Sequence, residues 1–155
     1  MSEKLIDKIL EVNYVKDATG HDHKTFEYDQ MEDIFQEIYK TNRWRKADGA
    51  GSGSIPENAQ TWLKILFQHV NKFKIEEIHD FGCGPYFLYK DLQWPQSLKY
   101  IGYDVSDIAL ERADLNCTNP KAVFEKIKSF DDLPGGGKNN LLIVKEVLQH
   151  WPHQI

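Results

Sequence analysis

The sequence predicts an α/β fold built on a doubly wound parallel sheet. Short apolar runs, typical of strands, alternate with amphipathic stretches that are typical of helices. The run at residues 141–144 is continuously apolar, as expected of a strand that is buried on both faces. Crossovers between parallel strands of this kind are expected to be right-handed.

Size and composition indicate one folded domain. The chain has 155 residues with four Trp, seven Tyr and eight Phe, which is enough apolar bulk for a core. Its net charge of −5 argues against binding nucleic acid through a large basic surface. Cys83 and Cys117 do not make a disulfide framework, and we find no CxxC pair, signal-peptide segment or long apolar run. We therefore expect a cytoplasmic location and no membrane partner, and the composition does not indicate a nucleic-acid partner.

The sequence divides into two parts. Residues 1–28 form a polar extension, in which the spacing of apolar residues between Leu5 and Leu10 indicates a helical face. The segment 21–23, His-Asp-His, is expected in an exposed loop rather than at a metal site. Residues 29–155 form the main domain.

Two amphipathic helices are predicted to precede the first strand of the main domain. The first covers residues 29–40, with apolar residues at i, i+3, i+4 and i+7. The second covers residues 56–72, with Ser54 as its N-cap and Pro56 in its first turn. The Gly- and Ser-rich segment 49–54 joins them, either as a flexible linker or as a lid over a ligand.

Strands and helices alternate through the rest of the domain. The predicted strands cover residues 75–81, 98–104, 122–124 and 141–144. A short helix over 86–92 and a longer helix over 106–116 follow the first two strands, and a loop covers 133–137.

The most informative stretch is Ile78–Phe87, where the first predicted strand ends in Asp80 and then in a glycine turn. Gly82 and Gly84 allow the backbone to turn sharply and to approach a ligand closely. The second strand also ends in an acid, Asp104, which could accept hydrogen bonds from ribose hydroxyls. A dinucleotide fingerprint, G-x-G-x-x-G, is matched only in part, because Phe87 occupies its third glycine position.

Asp80, Gly82 and Gly84 resemble the first motif of the class I S-adenosylmethionine-dependent methyltransferases, D-x-G-x-G-x-G, with Tyr86 at the place of its third glycine. The segment Val144–Trp151 resembles the family's fourth-strand segment, and the helical N-terminal region resembles the helices that cap the cofactor. The resemblance covers roughly residues 30–155. It implies a Rossmann-like fold, S-adenosylmethionine as cofactor, S-adenosylhomocysteine as product, and methyl transfer to an acceptor that the sequence does not identify.

The resemblance also implies which residues hold the cofactor. Gly82 and Gly84 would lie against the methionine moiety, with Asp80 near its amino group. Asp104 would bind the ribose, and the segment 129–130 would contact the adenine. The full set of implied cofactor-binding residues is Asp80, Gly82, Cys83, Gly84, Asp104, Val105, Ser129, Phe130 and Lys145.

Glu146 and His150 are the candidate catalytic residues, acting as a general base where the acceptor carries a proton. The family usually continues past the fourth strand, and an apolar fourth strand with an unpaired edge is unfavourable, so we expect a truncated chain. The alternatives are a partner chain that supplies the missing strands and pairing of the fourth strand in a dimer. Two other functions stay open: a non-catalytic S-adenosylmethionine-binding module or subunit, and an NAD-dependent oxidoreductase.

Overall fold

The computed structural model describes residues 14–16, 22–24, 30–128 and 130–147. In chain order, the helices and strands of these residues are β1 (Tyr14–Lys16), β2 (Asp22–Lys24), α1 (Met31–Thr41), α2 (Gln60–Phe73), β3 (Glu77–Phe81), β4 (Lys99–Asp104), α3 (Asp107–Asn116), β5 (Ala122–Lys126) and β6 (Asn140–Ile143).

The central sheet is parallel and has the strand order β5-β4-β3-β6. In its register, Asp80 of β3 lies opposite Gly102 of β4 and Ile143 of β6. Because all four strands run in the same direction, their carboxyl ends share one edge of the sheet, which is where such sheets bind ligands. The predicted α/β class with a parallel sheet is confirmed.

One face of this sheet carries the main core. Leu66 and Val70 of α2 and Ala113 of α3 pack against Ile78 and Tyr100, and each of these side chains is at most 3% exposed. Burial of each of the larger ones contributes about 1.5–3 kcal/mol. Helices α2 and α3 therefore hold the strands in place beneath the ligand-binding edge.

The opposite face is less covered. Leu142 on β6 is 53% exposed and Val123 on β5 is 43% exposed. Within the described residues, β6 pairs only with β3, and alternate side chains of a strand point to opposite faces. The prediction that the run at 141–144 is buried on both faces is therefore wrong.

Helix α2 begins later than predicted. Its N-cap is Ala59, without a side-chain hydrogen bond, and Ser54 ends a short 3₁₀ turn instead of capping the helix. The amides of Asn58 and Ala59 donate to the carbonyl of Ile55 at 3.0 and 3.1 Å, so residues 55–59 form a separate turn.

The helix predicted over residues 86–92 is a single 3₁₀ turn, Phe87–Tyr89. Tyr86 precedes it in the left-handed conformation, with φ of 59°, which a right-handed helix cannot incorporate. Helices α1 and α3 lie within two residues of their predicted bounds, and Ser106 caps α3 by accepting a hydrogen bond from the amide of Ala109.

The N-terminal extension contains an antiparallel pair, β1 with β2, in which Val15 lies opposite His23. The prediction of a loop at 21–23 is therefore wrong for Asp22 and His23, and the helical face predicted at Leu5–Leu10 lies outside the described residues. No helix in the described ranges is long and apolar enough to cross a membrane.

Candidate functional site

A cleft of about 560 Å³ opens at the carboxyl edge of the sheet. The ends of all four strands form its floor, and α1 with the segment that follows it forms the opposite wall. Of the residues predicted to bind a cofactor, those that line this cleft are Gly82, Cys83, Gly84, Asp104, Val105 and Lys145. Ser129 and the candidate base His150 lie outside the described residues, and Phe130 begins a short 3₁₀ turn, Phe130–Asp132.

The glycine turn after β3 is packed from both sides by the protein itself. Gly82 and Gly84 have φ values of 77° and 56°, in the left-handed region that favours glycine. A β-carbon on Gly82 would collide with the side chain of Val147, and one on Gly84 would lie 3.0 Å from the hydroxyl of Tyr39. Glycine is therefore required at both positions by conformation and by space.

The backbone amides of this turn already have acceptors. The amides of Gly82 and Cys83 both donate to the carbonyl of Tyr103, at 2.7 and 3.0 Å. The amide of Gly84 donates to Oδ2 of Asp104 at 2.9 Å. The turn therefore does not present the cluster of free N–H groups with which phosphate-binding loops hold an anion.

Asp104 lies where the sequence predicted it, at the tip of β4 on the cleft wall. It is 6% exposed, and its second oxygen, Oδ1, accepts from the amide of Ser106 at 2.9 Å. Burial raises the pKa of its carboxyl to about 6, although the hydrogen bonds from Ser106 and Gly84 lower it. Each oxygen keeps a further acceptor site, so the carboxylate can bind a ligand hydroxyl as well.

Asp80 is separated from the large cleft. Its carboxyl is 3% exposed and accepts a hydrogen bond from the Tyr100 hydroxyl at 2.6 Å. Burial raises its pKa to about 7. Asp80 lines a cavity of about 30 Å³ behind the turn, together with Ser54 and Lys145. That cavity has room for about one or two water molecules, so Asp80 is suited to act on a ligand through water.

Lys145 and Glu146 fix the segment 51–54 to the tip of β6. Lys145 Nζ donates to the carbonyl of Gly53 at 3.0 Å and lies 3.0 Å from Oε2 of Glu146. The carboxylate of Glu146 also packs against Gly53 and occupies the space that a β-carbon there would need. Residues 51–54 line the cleft, so this segment is part of the site wall rather than a flexible linker.

Helix α1 is held across the cleft by polar contacts with the first turn of α3. Gln36 Oε1 accepts from the Ser106 hydroxyl at 2.7 Å and from the Ile108 amide at 3.2 Å. Lys126 bridges Glu32 of α1 and Asp107 of α3, at 2.6 and 2.7 Å. These contacts hold the wall of the cleft opposite the sheet in position. The apolar and aromatic side chains of that wall are Met31, Phe35, Tyr39 and Trp44.

Cys83 and Tyr39 are two further side chains that line the cleft. Burial raises the pKa of the Cys83 thiol well above its usual range, and neighbouring Asp104 raises it further, so the reactive thiolate form is disfavoured. Tyr39 was not among the predicted site residues. The sequence signal for it was a tyrosine, whose ring carries a hydroxyl group, directly after an apolar residue of the buried face of α1.

The parallel sheet, its order and the cleft at its carboxyl edge define a Rossmann-like fold. The chain is similar to the crystal structure of magnesium protoporphyrin IX methyltransferase (ChlM) from Synechocystis PCC 6803 with bound SAH, at a TM-score of 0.56 and 19% sequence identity. The similarity covers 79% of this chain and 59% of that chain, so this chain spans about three-fifths of that enzyme's length. No protein-family model and no curated protein matches the sequence.

Proposed function

We propose that this chain is an S-adenosylmethionine-dependent methyltransferase domain. The observation that carries the proposal is the glycine turn after β3. Its two glycines have left-handed backbone conformations, and its amides already donate hydrogen bonds within the protein, one of them to the buried carboxylate of Asp104. Such a turn suits a ligand whose part nearest the turn is positively charged or neutral, as in a sulfonium-bearing amino acid. The similar enzyme with bound SAH supports the same cofactor here.

The alternative of an NAD-dependent oxidoreductase fits this turn poorly. A dinucleotide places its pyrophosphate on free backbone amides at the start of a helix. Here the turn leads through Tyr86 into a 3₁₀ turn, and its amides donate to Tyr103 and Asp104. The buried carboxyls of Asp80 and Asp104 would also repel a pyrophosphate when ionised.

The residues along the sheet edge follow the order of the parts of S-adenosylmethionine. Ile127 and Val105 offer an apolar surface for adenine on the β5 side, and Asp104 offers acceptors for the ribose hydroxyls. The glycine turn and Lys145 lie towards β6, at the methionine end. When bound, the cofactor supplies an electrophilic methyl group, so the protein's task is to align the acceptor and exclude water.

Glu146 is the candidate general base among the described residues. Its side chain is 48% exposed and it lines the cleft at the β6 side, next to the proposed methionine end. His150 is proposed for the same role from the sequence alone. A base is needed only for an acceptor that must lose a proton, so the residue used depends on the acceptor.

A second candidate function is a non-catalytic S-adenosylmethionine-binding module that a partner chain or a second copy completes. It is favoured by Leu142, a large apolar residue on β6 that is 53% exposed, and by the absence of another strand beside β6 in the described part of the chain. Light scattering at several concentrations tests it. A dimer supports this candidate, and a monomer at all concentrations opposes assembly with a second copy.

Isothermal titration calorimetry with S-adenosylhomocysteine and with NAD tests the proposed function. We expect S-adenosylhomocysteine to bind with a stoichiometry of one and NAD not to bind. Binding of NAD alone would overturn the proposal. A cytoplasmic location is part of the proposal and is supported by the two unpaired cysteines, Cys83 and Cys117.

A further inference from the structure

We propose that the hydroxyl of Tyr39 binds the carboxylate at the amino-acid end of the cofactor. The inference rests on the proposed function, because that carboxylate belongs to S-adenosylmethionine and to its product. It adds a binding residue on α1 that neither the glycine turn nor the fold similarity identifies.

The first argument is the position of the hydroxyl. Tyr39 is 4% exposed and lines the cleft, and its Oη is aimed at the glycine turn, 3.0 Å from where a β-carbon of Gly84 would lie. Its ring packs edge-on against Trp44, with centroids 6.4 Å apart. The phenol is therefore held in one place, with its polar tip at the methionine end of the proposed cofactor site.

The second argument is that this hydroxyl lacks a partner. Within the described residues, Tyr39 Oη has no hydrogen-bond partner, and it is not among the side-chain oxygens sealed in the core, so it is open to a ligand in the cleft that Tyr39 lines. The buried tyrosines elsewhere in the sheet and core are each bonded to another side chain: Tyr86 to Trp94, Tyr89 to Trp62, Tyr100 to Asp80 and Tyr103 to His79. Tyr39 is the exception, and it is the one aimed into the cleft.

The third argument is the shortage of other donors beside the turn. The amides of Gly82, Cys83 and Gly84 are all used within the protein. On the sheet side of the cleft, the cation Lys145 is bonded to Gly53 and paired with Glu146. A ligand carboxylate that reaches this turn therefore finds its donors on the opposite wall, where Lys46 also lines the cleft.

The ionisation of Tyr39 agrees with a donor role. Burial raises the pKa of its phenol well above the usual range, and the carboxylate of Asp104 raises it further. The hydroxyl is therefore protonated throughout the physiological range and can donate to a carboxylate. A hydrogen bond to a charged group stabilises more than a neutral one does.

The test compares two ligands by calorimetry on the full chain. S-adenosylhomocysteine carries the carboxylate, whereas 5′-methylthioadenosine keeps the adenine, ribose and sulfur but lacks the amino-acid end. We expect Tyr39→Phe to weaken S-adenosylhomocysteine about 10- to 100-fold and to leave 5′-methylthioadenosine unchanged. Tyr89→Phe, which removes a buried phenol that is bonded to Trp62, is the matched control and should change neither affinity.

The outcomes separate the two proposals. If the wild-type chain binds neither ligand, the proposed function fails. Where the wild-type chain binds both ligands, two results overturn the role of Tyr39. One is a Tyr39→Phe variant that binds S-adenosylhomocysteine as tightly as wild type, and the other is a variant whose affinity falls equally for both ligands. Should Tyr39→Phe not fold, NMR of wild-type chain labelled at tyrosine Cζ replaces it. One resonance should then shift with S-adenosylhomocysteine and not with 5′-methylthioadenosine, and the absence of that difference overturns the inference.

Discussion

The amide of Gly84 donates a hydrogen bond of 2.9 Å to Oδ2 of Asp104, although the two residues are 20 positions apart in the chain. This bond joins the glycine turn after β3 to the tip of β4. The same carboxylate lines the cleft, so one side chain both fixes the shape of the turn and faces the ligand.

Asp104→Asn should therefore weaken both ligand binding and folding. The amide side chain has one oxygen and one NH₂ group, so it cannot accept from both Gly84 and Ser106 as the carboxylate does. We expect the free energy of unfolding in urea to fall by about 1–3 kcal/mol. In calorimetry, the affinity for S-adenosylhomocysteine should fall at least about 10-fold. An unchanged affinity would contradict the assignment of Asp104 to the ribose.

The stability of the protein should decrease as the pH rises from about 4 to about 7. Burial raises the carboxyl pKa to about 7 for Asp80 and about 6 for Asp104, from 3.8. The folded chain therefore holds protons that the unfolded chain releases in this window, and the stability that they contribute is lost as pH passes through the raised values.

Urea unfolding at pH steps between 4 and 8 measures this dependence. Asp80→Asn should reduce the slope, most of all above about pH 6, because the amide keeps the acceptor for Tyr100 and does not titrate, whereas Asp104 still contributes below that pH. Asp91→Asn, at an exposed position, is the control and should leave the slope as in wild type. An unchanged slope in Asp80→Asn would contradict the contribution of Asp80.

Gly82→Ala should destabilise the protein by about 1–3 kcal/mol, because alanine is strained at a φ of 77°. The new methyl group also collides with the side chain of Val147, the last described residue of the chain. Gly135→Ala is the matched control, since no atom lies within 4 Å of its β-carbon position and its φ is not left-handed. Thermal unfolding compares the two, and equal melting temperatures would argue against the close packing of the turn.

Gln36→Ala should loosen the wall of the cleft. The substitution removes the acceptor for Ser106 and Ile108 and so weakens the attachment of α1 to the start of α3, where the Lys126 bridge remains. We expect the free energy of unfolding to fall by about 1–3 kcal/mol. Glu37→Ala is the neighbouring control, because among the described residues its side chain makes only a long ion pair, of 3.9 Å, with Lys40. Faster hydrogen exchange in α1 of the Gln36 variant alone would confirm the role.

Glu146→Ala should leave cofactor binding nearly unchanged and lower the rate of methyl transfer. Because Lys145 still bonds Gly53 in this variant and Glu146 makes no hydrogen bond with the glycine turn among the described residues, calorimetry should give an affinity for S-adenosylhomocysteine close to that of wild type. Methyl transfer to an acceptor, once one is found, should fall by about 10²- to 10⁴-fold if Glu146 is the base. A variant with full turnover would leave that role to His150 or to no residue.

The strands of the sheet and the glycine turn could be predicted because their signals are local. An apolar run that ends in Asp80 and is followed by two glycines specifies a strand and a turn without reference to the rest of the chain. The same holds for α3, whose cap Ser106 immediately precedes it. Asp104 could be predicted because an acid at the end of a predicted parallel strand indicates a ligand-binding position by itself.

The features that were missed depend on distant partners. Tyr86 adopts a left-handed conformation because its ring is buried among Tyr89, Tyr100 and Phe124, with centroids 5.0–5.8 Å apart, and no local pattern shows this. Asp80 faces a small cavity rather than the cleft because alternate residues of β3 point to opposite faces. The place of Tyr39 depends on contacts of α1 with α3, about 70 residues further along the chain.

Those contacts also determine when the cleft can form during folding. The bond between Gln36 and Ser106 spans 70 residues, and that between Glu32 and Lys126 spans 94. Closing loops of that length is slow, so α1 is expected to dock after the strands have paired. A small molecule that needs both walls then binds only the fully folded chain. Its concentration in the cell would set how much of this protein survives degradation.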